Sequence, residues 1–293
     1  MLTEGDARSV LVELGVAHPS GLSAVSGGWD TDIWRVQADG QTYALRVFRP
    51  EQLRTWRRET VALRAAAEHG VAVPALHGAT VWRDRPALLL GWCGGTTVLA
   101  RARARPHATY GLGVAMGRTH AHIHRVPAPA ALGAGSPAWL DRLQGEAALR
   151  ARLRALAPAE GSLLHLDYHP LNVMCDAGGV TGVLDWANAG AGDPRADLAR
   201  TVSILRLSTA PPGTNPLLDW AGRALLELGW RAGYRQVSGW PTNMAPFYAW
   251  AGAWMAQDLA PKLGRPGVWL RPDDLERMRR WAGAWKRRAG VVE

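Results

Sequence analysis

Residues 163 to 186 read LLHLDYHPLNVMCDAGGVTGVLDW, and this stretch decides the interpretation of the whole chain. Its short apolar runs are typical of buried β-strands, yet ionisable and amide side chains interrupt them. These side chains belong to His165, Asp167, His169, Asn172, Asp176 and Asp185. A carboxylate placed between Leu184 and Trp186 needs a partner when it is buried, so the pattern points to chemistry rather than to packing alone.

The stretch predicts an antiparallel hairpin whose turn is centred on the Gly-Gly pair at 178–179. In that register Asn172 lies opposite Asp185, and Asp167 lies on the loop just before the hairpin. Neighbouring amide and carboxylate oxygens suit Mg²⁺, so we expect Asn172 and Asp185 to hold the metal. Asp167 would then orient a hydroxyl nucleophile or accept its proton. The alternative, a surface hairpin with turn-capping side chains, explains Asp176 but not Asp185.

Composition limits the class of protein. The chain has 293 residues, of which 47% are apolar and 20% charged, as in globular proteins. We expect a soluble cytoplasmic protein, because no apolar stretch is long enough to span a membrane and the N-terminus lacks a secretory pattern. The two cysteines lack CxxC spacing and are interpreted as buried free thiols. The net charge of +9 is scattered along the chain, which does not favour a specific nucleic-acid role.

The order of predicted elements divides the chain into two lobes. Residues 1–92 combine short β-runs, an Asp-Gly hairpin signal at 39–40 and one helix over 51–70. One stripe of this helix carries Leu53, Trp56, Thr60, Leu63 and Ala67. Residues 93–293 have helical spacing and composition, interrupted by the 163–186 stretch. We therefore predict an α+β fold with a small strand-rich N-lobe and a larger, mainly helical C-lobe.

Several segments, in this order, resemble the aminoglycoside phosphotransferase-like kinases, a branch of the protein-kinase-like fold. His-Leu-Asp at 165–167, then Asn172, then VLDWANAGAGDPRADLA at 183–199 look like the catalytic and metal-binding segments of that family. The resemblance spans roughly residues 20–260, and Leu166 stands where the family often has Gly. It implies a bilobal kinase that uses Mg²⁺ and takes ATP as co-substrate, with the choice between ATP and GTP left open.

Other positions refine this resemblance. Trp186 replaces the aromatic-Gly pair of a protein kinase and no A-P-E segment follows, which favours a small-molecule kinase. Asp193 and Asp197 resemble residues that brace the catalytic loop or cap the next helix. His120 and His124 are four residues apart, but no third ligand is evident, so we interpret them as packing residues rather than zinc ligands.

The resemblance also assigns nucleotide-binding roles to the N-lobe. A kinase needs a glycine hairpin over the phosphates, a cation on the third strand and a carboxylate on the next helix. Ser26, Gly27 and Gly28 match the hairpin, although a simple β-turn would explain them as well. Arg46 takes the place of the usual lysine and Glu59 that of its partner; the N-lobe contains no lysine.

The segment 73–95 predicts further strands with a turn near 83–84. Its last strand would run into the hinge, where backbone groups around Leu90 to Trp92 would bond the purine edge. A buried strand that ends in a Gly-Gly turn fits the same letters equally well.

The resemblance implies that the C-terminal helices select the acceptor, the molecule that receives the phosphoryl group. Between 206 and 293 there are seven acidic and thirteen basic residues. A pocket for a polycationic aminoglycoside should carry an excess of carboxylates, so this basic region disfavours such an acceptor. Asp258 is the best acidic candidate for gripping a hydroxyl or amine, with an ordinary helix-surface aspartate as the alternative.

We therefore predict a Mg²⁺-dependent phosphotransferase that moves the γ-phosphoryl group of ATP to a hydroxyl of an antibiotic or metabolite. The alternative is a nucleotide-binding pseudokinase with a regulatory or scaffold role, suggested by Arg46 in place of lysine. A basic nucleic-acid-binding protein is a third interpretation, and it leaves the hairpin chemistry unexplained. We expect neither a nucleic-acid nor a membrane partner, and the oligomeric state is left open.

Overall fold

An antiparallel sheet of five strands forms in the N-terminal third of the chain, in the order β1-β2-β3-β5-β4. The structure is a computed structural model that describes residues 2–25, 31–133, 139–156, 161–210, 212–265 and 268–291. The strands are β1 (Gly21–Val25), β2 (Asp32–Ala38), β3 (Gln41–Val47), β4 (Leu76–Trp82) and β5 (Arg85–Gly91). Helices α1 (Glu4–Glu13) and α2 (Leu53–Glu68) accompany them. The predicted glycine hairpin, Ser26, Gly27 and Gly28, lies outside the described residues.

Two tight turns set the register of this sheet. Asp39 and Gly40 have φ of 51° and 73°, the left-handed geometry that a two-residue hairpin loop requires. Arg83 and Asp84 join β4 to β5 with φ of 43° and 65°. Both turns, and the three strands before α2, agree with the sequence prediction.

Strand β5 is buried on both faces because a helix covers each side of the sheet. Ala87 and Leu89 pack in a core with residues of α1, whereas Leu88 and Leu90 pack in the core that contains α2. This alternation follows from the two-residue period of a strand. The cation-bearing strand β3 lies next to β5 and is therefore held in a rigid layer.

Helix α2 buries Thr60 and Leu63, as predicted, but Ala67 is exposed. Ala66 is buried as well, next to Leu63 on the same side of the helix. Ala67 lies on the predicted stripe by its spacing but is exposed, because it is the second-last residue of the helix, beyond the part of α2 that the core covers. The same face buries Glu59, a carboxylate that needs a partner.

The rest of the chain is mainly helical, with short strands inserted. The helices are α3 (Val98–Ala104), α4 (Thr109–Ile123), α5 (Ala147–Leu156), α6 (Pro194–Leu207), α7 (Pro216–Ser238), α8 (Ala245–Leu259) and α9 (Pro272–Arg288). The strands are β6 (Thr96–Thr97), β7 (Ser162–Leu164), β8 (Val173–Cys175), β9 (Val180–Val183) and β10 (Gly190–Gly192). Among the described residues, no helix is long and apolar enough to cross a membrane.

Helices α4 and α7 touch through glycines. A Cβ atom added to Gly113 or Gly117 on α4 would meet backbone atoms of α7. Likewise, a Cβ added to Gly229 or Gly233 on α7 would meet carbonyl oxygens of α4. The two backbones are thus in direct contact, which only residues without a side chain allow.

The carboxylate of Asp197 on α6 is fully buried beneath the 165–172 segment. The backbone N–H of His165 donates to its Oδ2 at 2.5 Å, and that of Leu166 donates to its Oδ1 at 2.9 Å. Nε2 of His120 and Nε2 of His124 each lie 3.2 Å from Oδ2. These partners hold the pKa of Asp197 well below its usual range, although burial acts in the opposite direction. Asp197 therefore braces the segment, as the resemblance implied.

Asp197 lies beside His120 and His124 as a third potential metal ligand, one that the sequence alone does not reveal. The ligand atoms of the three residues lie within 4.8 Å of one another. The indole N–H of Trp230 donates to Nδ1 of His120 at 3.3 Å. His120 therefore carries its own proton on Nε2, which faces Asp197. A metal ligand needs a lone pair on that nitrogen, so this tautomer of His120 disfavours metal coordination. Nε2 of His124 hydrogen-bonds to Asp197 Oδ2, whereas Nε2 of His120 has no hydrogen-bond partner among the described residues.

Gly233→Ala should lower the free energy of unfolding by about 3 kcal/mol, because the added Cβ would push α7 away from α4. Gly222→Ala is the matched control in the same helix, since a Cβ there meets nothing within 4 Å. The control should gain about 0.5–1 kcal/mol from helix propensity. Urea unfolding of both variants measures the difference, and equal effects would contradict the close helix contact.

Burial, aided by His124, lowers the pKa of His120 from 6.5 to about 4. As pH falls, the unfolded chain binds this proton before the folded protein does. The free energy of unfolding should therefore fall by about 3 kcal/mol between pH 6.5 and 4 on account of this group. Urea titrations across that range should show a shallower loss for His120→Gln than for wild type. The exposed neighbour His122→Gln should keep the wild-type slope; parallel curves for all three proteins would refute the assignment.

Candidate active site

The β8–β9 hairpin forms, but not in the predicted register. The carbonyl of Asn172 accepts from the N–H of Leu184 at 2.8 Å, so Asn172 lies opposite Leu184 and the predicted pairing with Asp185 is wrong. The cause is the turn over 176–179, which is centred one residue earlier than predicted and by itself would displace the partner strand by two residues. A bulge in which Thr181 is the extra residue reverses half of that displacement, so the pairing ends one residue from the predicted one.

Asp185 nevertheless reaches the same cavity as Asn172 and Asp167. Its backbone is left-handed, with φ of 58°, where β9 has ended, and this redirects the chain. The side-chain amide of Asn172 donates to the carbonyl of Asp167 at 3.0 Å, which leaves its Oδ1 available as an acceptor. The structure thus brings the three predicted polar residues to one wall of a cavity of about 820 Å³.

Arg46 connects the sheet to this wall. Its Nη1 donates to Glu59 Oε1 at 2.5 Å, its Nη2 to Asp185 Oδ1 at 3.2 Å and its Nε to Thr31 Oγ1 at 3.2 Å. Burial opposes the charge of Arg46, but the two carboxylates raise its pKa. Burial raises the pKa of Glu59 to about 7 against the attraction of Arg46, and its Oε2 has no hydrogen-bond partner among the described residues. The predicted pairing of Arg46 with Glu59 is present.

The predicted hinge residues Leu90 and Trp92 line the same cavity. However, the backbone N–H of Gly91 donates to a carbonyl oxygen at 2.7 Å, and that of Trp92 to another at 3.1 Å. Trp92 therefore has no free N–H for a purine edge, which corrects the expectation for its backbone donor. The next residue, Cys93, also lines the cavity, and its N–H has no acceptor among the described residues.

The carboxylate of Asp167 is a quarter exposed and opens onto the cavity. The ring of His169 lies beside it, with Nε2 at 3.8 Å from Oδ2. Burial lowers the pKa of His169, although Asp167 opposes this, so the ring favours the neutral form. The carboxylate thus keeps its lone pairs available for a hydroxyl group.

On the far side of the cavity, Asp258 projects from α8 and pairs with Lys262 at 3.1 Å. Sequence reasoning missed two neighbours, Arg200 and Trp254, whose side chains stack with 3.9 Å between guanidinium carbon and ring centroid. Helical spacing was the available signal, because Arg200 follows the bracing Asp197 by three residues and Trp254 precedes Asp258 by four.

A larger depression of about 1100 Å³ lies between α6, α7 and the start of α9. Of the predicted catalytic, nucleotide and metal residues that the structure describes, none lines it. Its lining arginines are Arg206, Arg223, Arg231, Arg271 and Arg277. Each forms an ion pair with a lining carboxylate, from Asp219, Glu227 or Asp274. Each of these arginines is thus ion-paired within the protein, and the predicted chemistry-bearing residues line the smaller cavity.

Comparison with solved structures gives the same fold over nearly the whole chain. The aminoglycoside phosphotransferase APH(4)-Ia is similar with a TM-score of 0.67 and 15% identity, covering 97% of this chain and 99% of that one. The amicoumacin kinase hAmiN, solved with AMP-PNP, Ca²⁺ and Ami, is similar with a TM-score of 0.63 and 15% identity over 100% and 98%.

The macrolide 2'-phosphotransferase MphH from Brachybacterium faecium is similar with a TM-score of 0.58 and 22% identity, covering 93% and 96%. No curated protein matches the sequence. The predicted α+β kinase-like fold is confirmed by these structures. A family model, the phosphotransferase enzyme family, matches residues 21–240. The chain therefore belongs to the phosphotransferase enzyme family.

Proposed function

We propose that this phosphotransferase moves the γ-phosphoryl group of ATP to a hydroxyl of a small molecule. The observation that carries the proposal is the convergence of Arg46, Asp167, Asn172 and Asp185 on one cavity. Phosphoryl transfer depends on positioning and charge neutralisation, and this set supplies a fixed cation, two oxygen donors and a carboxylate.

The oxygen donors fit Mg²⁺. Asn172 presents Oδ1 because its amide nitrogen is occupied by the Asp167 carbonyl, and Asp185 presents the carboxylate oxygen that Arg46 leaves unused. Carboxylate and amide oxygens are hard ligands of the kind that Mg²⁺ accepts alongside phosphate and water. Bound there, Mg²⁺ would neutralise charge on the phosphate oxygens.

Asp167 is the proposed base. Its carboxylate would orient the acceptor hydroxyl and take its proton as the new O–P bond forms and ADP leaves. The carbonyl of Asp167 holds Asn172, so the base and one metal ligand are positioned together. A displacement of either residue would misalign both roles.

The nucleotide would lie between β3, β5 and the hairpin wall. Arg46 offers a fork of donors to phosphate oxygens, and Glu59 holds it in place. The N–H of Cys93 is the proposed donor to the purine edge, and Leu90 is part of the apolar wall beside it. Ser26, Gly27 and Gly28 remain the proposed cover over the phosphates.

The acceptor belongs on the side of Asp258, Arg200 and Trp254, where the cavity is lined by α6 and α8. An antibiotic or a metabolite with a free hydroxyl fits this proposal. A nucleotide-binding pseudokinase is the second candidate, because Arg46 replaces lysine; it predicts MgATP binding without transfer.

Purified protein with MgATP should release ADP in the presence of a hydroxyl compound from a panel of aminoglycosides, macrolides, peptide antibiotics, sugars, sugar acids and amino alcohols. Asp167→Asn should lower this rate by about 100-fold or more, because a positioned base contributes that much. Asp176→Asn is the matched control, since Asp176 caps the β8–β9 turn outside the cavity.

Tight MgATP binding with no transfer to any compound would favour the pseudokinase. Failure to bind MgATP would overturn the kinase proposal, and equal rates for Asp167→Asn and wild type would overturn the assignment of the base.

A further inference from the structure

Three arginines from distant parts of the chain meet beside the candidate base. Arg58 comes from α2, Arg142 from the turn at 139–142, and Arg200 from α6. Arg58 and Arg200 line the cavity that contains Asp167, and Arg142 lies behind them. We call these three residues the arginine cluster.

The cluster contacts only neutral groups. Arg58 Nη1 donates to the carbonyl of Ala187 at 3.1 Å. Arg142 donates to the side-chain and backbone oxygens of Asn188 at 2.7 and 2.8 Å. None of the three arginines forms an ion pair within the part of the chain that the structure describes. The contrast with the paired arginines of the larger depression is clear.

Arg200 is the most deeply placed member and is 6% exposed. Its Nε donates to the carbonyl of Leu166 at 3.3 Å, but Nη1 is buried with no hydrogen-bond partner among the described residues. A buried guanidinium nitrogen without an acceptor is costly, so Arg200 would gain from an added oxygen acceptor.

Trp254 orders the cluster. Its ring centroid lies 3.9 Å from the guanidinium carbon of Arg200 and 5.2 Å from that of Arg142. Stacking on an aromatic face stabilises a charged guanidinium and restricts its orientation. Burial and the neighbouring Arg58 and Arg200 lower the pKa of Arg142 to about 10, which still leaves it charged at neutral pH.

Nearby carboxylates compensate this charge only in part. Asp167 and Asp258 attract Arg142 and Arg200 without forming an ion pair with either, and Asp258 is also paired with Lys262. An excess of positive charge therefore remains next to the place where an acceptor hydroxyl would lie. Such a site attracts an anion and repels a polycation.

We propose that the arginine cluster binds an oxyanion of the acceptor, so that the acceptor is a hydroxyl compound carrying a carboxylate. This inference rests on the proposed phosphotransferase function and specifies its substrate class. A guanidinium presents parallel N–H donors that match a carboxylate, and a second arginine would share the charge.

The same oxyanion chemistry could come from the γ-phosphoryl group of the nucleotide. Arg142 and Arg200 stack on Trp254 of α8, and Arg58 extends the cluster to the carbonyl of Ala187, whereas Arg46, Asn172 and Asp185 form the proposed phosphate side. This arrangement favours the acceptor as the source.

The test uses the full chain loaded with Mg²⁺ and AMP-PNP, titrated calorimetrically with paired probes. Hydroxy acids of increasing length, such as glycerate and gluconate, are compared with the matching polyols glycerol and sorbitol. At least one hydroxy acid should bind about tenfold or more tightly than its polyol, as expected for a charge-assisted contact. Arg58→Gln should remove most of this preference. Arg57→Gln, which changes an exposed arginine next along α2, should preserve it.

Arg200→Lys should weaken hydroxy-acid binding but retain a partial preference, because the charge remains while the fork is lost. The affinity of Arg58→Gln for AMP-PNP relative to ADP should match wild type. A selective loss of AMP-PNP affinity would assign the cluster to the γ-phosphoryl group and overturn the proposal.

Equal or absent binding of hydroxy acids and polyols, or an unchanged preference in Arg58→Gln, would also overturn it. These outcomes concern equilibrium binding, so they are distinct from a failure of phosphoryl transfer. Transfer that favours neutral or cationic acceptors would leave the proposed function standing and refute the acceptor class.

Discussion

The buried carboxylate of Asp197 is the constraint on which the candidate active site depends. Both of its oxygens accept backbone N–H groups from the 165–166 pair, and two histidines complete its partners. Leu166 is held with φ of 62°, a left-handed conformation that costs a non-glycine residue about 1–3 kcal/mol. Asp197 stabilises this conformation, and the turn it creates presents Asp167 to the cavity. A charge buried in α6 thus sets the position of the candidate base on the 165–172 segment.

A second ionic connection joins the sheet to the helical part. Arg46 bonds Glu59 and also Asp185, which lies 139 residues further along the chain. Burial opposes ionisation of Asp185, but Arg46 and neighbouring groups lower its pKa, so it is available as an anionic ligand. Arg46 already bonds one oxygen of Asp185, so a phosphate that binds Arg46 and a metal that binds Asp185 would replace parts of an existing ion pair. The charged groups of the proposed nucleotide side are therefore held in place before any ligand binds.

Local signals predicted much of this molecule. The Asp39-Gly40 turn, the strands around it and the α2 helix follow from turn chemistry and periodicity, which act within a few residues. The hairpin register did not follow, because the turn is centred one residue before the Gly-Gly pair and the bulge at Thr181 reverses only half of the resulting displacement. The glycines of α4 and α7 were visible in the sequence, but their role depends on which helix each one meets. The arginine cluster joins α2, the 139–142 turn and α6, and only the tertiary fold reveals it.

The most direct test of the metal and nucleotide assignment is the Mg²⁺ dependence of AMP-PNP binding, measured calorimetrically with Mg²⁺ and with EDTA. Wild-type protein should bind AMP-PNP more tightly with Mg²⁺, and Asp185→Asn should reduce that enhancement by about tenfold or more, because a carboxylate ligand is lost. Asp176→Asn, outside the cavity, should behave as wild type. An undiminished Mg²⁺ enhancement in Asp185→Asn would contradict the account that Asp185 holds the metal beside the base.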